Sequence, residues 1–168
     1  HHFQISLAQE NPGLPAFQRF DGNNAFVEGW ALYAETLGYP MGLYKDPMQH
    51  WGTLDDEMLR AMRLVVDTGL HAREWSREQA IDWFANTNGS GRDEVTSEVE
   101  RYCTQMGQAC SYKIGHMAWV KQREKAQAAL GAKFSLPWFH EILKDGVMPL
   151  SMLEARVDER VRERLAKG

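Results

Sequence analysis

His1 and His2 stand side by side, and each carries an imidazole that can ligate a metal through a neutral ring nitrogen. Glu28 lies in Asn24-Ala25-Phe26-Val27-Glu28-Gly29-Trp30-Ala31-Leu32-Tyr33-Ala34-Glu35, a carboxylate among small and apolar neighbours. Burying that charge costs free energy unless a cation pairs with it. Glu35 falls on the same helical face two turns later, placed to support a metal ligand from behind. Two histidines and a glutamate, with an open position for water, make a common hydrolytic zinc site. Other readings fit the same residues. A His-His pair can be the remnant of a purification tag, and Glu28 can pair with a buried arginine.

Arg60 and Arg63 share a helix face at i, i+3 and could grip a peptide carboxylate with both forks. They could equally pair with Asp56, Asp67 or carboxylates on the Glu28 side, and a structural role is expected for one of the two. His71 is expected just beyond a helix stop at Thr68-Gly69, where a ring can point into a cleft, and Tyr112 near the start of a long helix. For both, the alternatives are a capping or surface histidine and a core tyrosine.

The elements that must position these groups all read as helices. The spacing predicts a helix over 1–10, stopped by Asn11-Pro12-Gly13 and Pro15. Asp21-Gly22-Asn23-Asn24 opens the helix of Glu28, which carries Phe26, Val27, Trp30, Tyr33, Ala34 and Leu37 at helical spacing. Asp46-Pro47 opens the next, through Leu54, Met58, Met62 and Val65. Ser76 and Gln79 form a capping box, a loop follows over 86–92, and Thr96 or Ser97 caps a short helix. A long helix is expected over 108–130, with two more over 136–144 and 150–165. The six tryptophans fall at helical apolar spacing and are read as core and groove packing. The reading is all-α, with 1–168 as one unit.

Bulk properties narrow the classes further. The chain has 168 residues, 43% hydrophobic and 25% charged, with formal net charge −4. That balance offers no basic footprint for nucleic acid, and no apolar run is long enough to span a bilayer. Cys103 and Cys110 read either as small buried thiols or as a disulfide between neighbouring helices, the latter implying an oxidising compartment. A periplasmic or lipid-anchored parent is preferred over a cytoplasmic one.

His1-His2-Phe3-Gln4 also matches the end of a longer motif, His-Glu-x-x-Pro-Gly-His-His-Leu/Phe-Gln. Together with FVEGWALYAETLG, RAMRLVVDTGLHAREWSREQAI, SEVERYCTQMGQACSYKIG and FHEILKDGVMPLSMLE, this makes the chain resemble DUF885, a bacterial family similar to zinc peptidases of the gluzincin type. The resemblance runs from His1 to about Val157. It implies one zinc ion in a full-length parent, held by His1 or His2 (with His1 preferred) and by Glu28 on a later helix. It also implies a peptide substrate, with His71 and Tyr112 as donors to the oxyanion.

Two departures stand out. The leading His-Glu half of the motif is absent, so the first ligand and the general base would come from a missing N-terminal segment acting as partner. Met106 stands where the family usually has proline before Gly107-Gln108-Ala109. The rival reading is a helical binding or structural domain without hydrolysis.

Overall fold

A computed structural model describes residues 1–167, the side chain of Asn88 excepted. It is all-helical, and no strand occurs among the described residues. The helices are α1 (His2–Gln9), α2 (Ala16–Phe20), α3 (Asn24–Thr36), α4 (Pro47–Ala72), α5 (Arg77–Asn88), α6 (Arg92–Thr104), α7 (Gln108–Leu130), α8 (Leu136–His140) and α9 (Leu150–Ala166). Short 3-10 turns follow α7 (Gly131–Lys133) and α8 (Glu141–Asp145). Contacts divide the chain into two compact units: His1–Ala34 with Ile114–Gly168, and Glu35–Lys113. Among the described residues, no helix is long and apolar enough to cross a membrane.

The first unit is organised around Trp119 of α7, which is fully buried. Its ring meets Phe26 at 5.1 Å and Trp30 at 5.3 Å between centroids, and Tyr33 and Phe139 lie just beyond. Three of these aromatics sit at 26, 30 and 33 on α3, the apolar face that the helical spacing marked out. The Trp119 indole N–H donates to the Phe26 carbonyl at 3.1 Å, so the one polar atom of that ring is satisfied inside the core. The Tyr33 hydroxyl meets His140 Nε2 at 2.8 Å. Burial, assisted by the nearby Arg123 charge, pushes the His140 imidazole down to about 4, and burial pushes the Tyr33 phenol up to about 12.

The second unit packs Met62 and Val66 of α4 against Ala80, Ile81 and Phe84 of α5 and Val95, Val99 and Tyr102 of α6. Both long entries are capped locally. Asp46 accepts from Met48 and Gln49 at the start of α4, and Ser76 with Gln79 closes the expected box on α5.

Several boundaries differ from the expected ones. α4 does not stop at Gly69 but runs on to Ala72. Gly69 is instead a point of close approach, because a Cβ there would lie 2.5 Å from the Trp75 ring. The glycine therefore admits the indole rather than ending the helix. The loop over 86–92 contracts, since α5 reaches Asn88 and α6 begins at Arg92. Thr96 and Ser97 thus lie inside α6, whose first turn holds Asp93 and Glu94 against the positive end of its dipole. α2 was not expected, and the helix over 136–144 splits into α8 and a 3-10 turn. Trp51 is exposed rather than packed, and Cys103 is an exposed thiol, with both cysteines free.

Candidate functional site

α1 begins at His2, so His1 is its N-cap, and its side chain makes no capping hydrogen bond. His1 Nε2 lies 3.3 Å from Glu28 Oε2 on α3, with side-chain exposures of 44% and 19%. Two donors each about 2.1 Å from one tetrahedral ion stand about 3.4 Å apart, so this separation suits a shared zinc. A direct ion pair between a protonated His1 and Glu28 has the same geometry. Of the two histidines, the one beside Glu28 is His1, while His2 is exposed. Among the described residues, no group of three His, Cys, Asp or Glu side chains could hold a metal.

Glu28 sits on a closely packed stretch of α3. Its neighbour Gly29 packs backbone to backbone on Gly115 of α7, and Phe26 one half-turn earlier is locked in the aromatic core. Gln4 of α1 is buried and reaches the Phe26 carbonyl at 3.5 Å, which ties the start of α1 to α3. The same segment thus carries the motif-like His1-His2-Phe3-Gln4 and the contact that anchors it.

The remaining candidates belong to the second unit. His71 lies in the last turn of α4, where Nε2 meets the Tyr102 carbonyl at 3.0 Å. A carbonyl can only accept, so this nitrogen carries the proton. Asp67, one turn earlier and buried, is 3.9 Å from the same nitrogen. Its two carboxylate oxygens accept from the Gly107 N–H, each at 3.1 Å. Tyr112, one turn into α7, accepts from Gln108 Nε2 at 3.4 Å and takes the Arg63 guanidinium on its ring at 4.9 Å.

Arg63 is buried and committed, donating to the Tyr102 hydroxyl at 3.0 Å and to Glu98 at 2.8 Å. Tyr102 in turn donates to Glu98 at 2.5 Å. Burial pushes the Glu98 carboxyl up, but the Tyr102 hydrogen bond and the Arg63 and Arg101 charges outweigh it and hold the group below its usual range. Arg60 pairs with Asp56 on its own helix, and its Nε is buried without a hydrogen-bond partner among the described residues. The Glu35 carboxyl is raised by burial, against the opposing pull of Arg60.

Asp67 was weighed from sequence only as an arginine partner, and the Glu98–Tyr102–Arg63 cluster was not anticipated. The i, i+4 spacing of Asp67 and His71 is the signal that could have found the first; nothing local marks the second.

No curated protein matches the chain. A crystal structure of a putative lipoprotein from Colwellia psychrerythraea is similar, with TM-score 0.93 and 42% identity over 97% of this chain. The match spans 28% of that longer chain. The model of the family described as "Bacterial protein of unknown function (DUF885)" matches residues 1–157, and the chain belongs to that family.

Proposed function

We propose that this chain supplies part of the metal site of a zinc-dependent peptidase completed by further polypeptide of the same protein. The approach of His1 Nε2 to Glu28 Oε2 at 3.3 Å carries the reading. Zinc, when bound, polarises a peptide carbonyl and acidifies water. His1 offers the Nε2 lone pair, which requires a neutral ring with its proton on Nδ1, and Glu28 offers its carboxylate. Glu35, two turns further along the same helix, is assigned to support the Glu28 carboxylate from behind. The third ligand and the base that takes the water's proton are assigned to polypeptide outside this chain.

His71 and Tyr112 are assigned to the oxyanion that forms when the carbonyl is attacked. Tyr112 is suited because its oxygen accepts from Gln108, leaving its own proton free to give. His71 must first turn away from the Tyr102 carbonyl. Of the arginines proposed for a substrate carboxylate, Arg60 is the better suited, because Arg63 is held by Glu98 and Tyr102. The word lipoprotein attached to the Colwellia relative supports a periplasmic or lipid-anchored location.

Metal content and cleavage of a mixed peptide library, measured on the full-length protein and its Glu28→Gln variant, test the reading. The expected result is one zinc per protein, lost together with turnover in the variant. A full-length protein free of zinc and indifferent to chelator would instead be a helical binding or structural domain.

A further inference from the structure

The first four turns of α4 hold no fully buried residue, although Leu59 packs partly on the core of the second unit; every buried residue of that helix is Met62 or later. Trp51, Leu54, Met58 and Val65 nevertheless repeat at i, i+3, i+7 and i+14. At 100° per residue they fall within an arc of about 60°. They are 66%, 59%, 47% and 41% exposed. Tyr39, Met41, Leu43 and Met48, just before or at the start of the helix, are exposed as well. There the Tyr39 ring packs edge-on against Tyr44 at 4.9 Å and beside His50 at 5.2 Å.

A helix draws most of its stability from packing an apolar face, and large apolar side chains lined up in water along one face are the kind of surface that marks an interaction site. Trp, Tyr and Met are also the residues that concentrate in the buried centres of interfaces.

We infer that this face of α4, centred on Trp51 and Met58, is the docking surface for an apolar helical face from the part of the protein that this chain does not contain. The occupant follows from the comparison with the Colwellia protein, whose match to nearly the whole of this chain takes in only 28% of its length. The helices of this chain therefore keep their fold inside a polypeptide more than three times as long, which supplies ample further chain to cover such a face. The acidic run Asp55-Asp56-Glu57 beside the stripe is unsuited to an anionic lipid surface.

Hydrogen exchange read by mass spectrometry on this 168-residue chain and on the full-length Colwellia relative tests the assignment, independently of any metal or activity. Amides of the helix matching 50–61 should exchange on the order of tenfold or more slowly in the full-length relative. The 168-residue chain should sediment as a monomer, and its Trp51→Lys/Met58→Glu variant should keep the same unfolding midpoint. Equal exchange in the two proteins would overturn the inference. So would a 168-residue chain that dimerises until those two substitutions are made, since the occupant would then be a second copy.

Discussion

Gly29 and Gly115 meet with no room for a side chain on either. A Cβ on Gly29 would lie 2.3 Å from the Gly115 carbonyl carbon, and one on Gly115 would lie 1.8 Å from the Ala25 carbonyl oxygen. Both obstacles are backbone, so the clash cannot be relieved by turning a side chain. Gly115→Ala should therefore lower stability by more than about 4 kcal/mol. Gly22→Ala, with nothing within 4 Å of the new methyl, should change it by less than about 0.5 kcal/mol. Thermal unfolding followed by circular dichroism compares the two, and equal midpoints would refute the close crossing of α3 and α7.

The 168-residue chain by itself should hold zinc weakly and cleave no peptide. One histidine and one glutamate leave a tetrahedral ion short of its usual three protein ligands. Isothermal titration with zinc and a peptide-library assay check this. Chelator-sensitive turnover by this chain would show that the site is complete within it and lies elsewhere.

In the full-length protein, Tyr112→Phe should reduce kcat and kcat/KM by similar factors, because an oxyanion donor acts mainly in the transition state. A loss of about 2–4 kcal/mol fits one such donor. If Tyr112→Phe and His71→Ala both kept normal turnover, the two residues would be structural, and the assignment of His1 and Glu28 would stand.

Arg63→Met should destabilise the protein by about 2–4 kcal/mol, since it strips a partly buried Glu98 of its main cation. The pH dependence carries the same signature. Glu98 is held below its usual range, so its contribution is present above pH 4.5 and is lost as the pH falls through the folded-state value. Urea midpoints between pH 3 and 6 should show that acid loss in the parent chain and a shallower one in the variant.

His140 stays neutral down to about pH 4 in the fold, whereas in the unfolded chain it takes up a proton near 6.5. The unfolded state then binds the extra proton between those values, so stability falls with pH across that window. His140→Gln should flatten this part of the profile. An unchanged slope would mean that the ring is freely protonated beside Tyr33.

The helices were legible from sequence where their signals are local. Pro47 behind Asp46, Ser76 with Gln79, and the glycines on either side of 108–130 act within three or four residues of the ends they define. His1 and Glu28 could be singled out as candidates in the same way, because a carboxylate among small apolar neighbours stands out without any partner in view, and the two lie 3.3 Å apart. Elsewhere, sequence did not reveal which groups meet. Gly69 carries the same local signal as a helix stop, yet α4 continues to Ala72 and the Trp75 indole packs closely against that glycine. Arg63 finds Glu98 and Tyr102, 35 and 39 residues away, rather than the carboxylates nearer in sequence. Trp51 has the spacing of a core residue yet lies exposed. Caps and periodicity are satisfied within one turn and so are written along the chain; ion pairs, close approaches and burial depend on what another helix brings to the same place, and packing alone decides them.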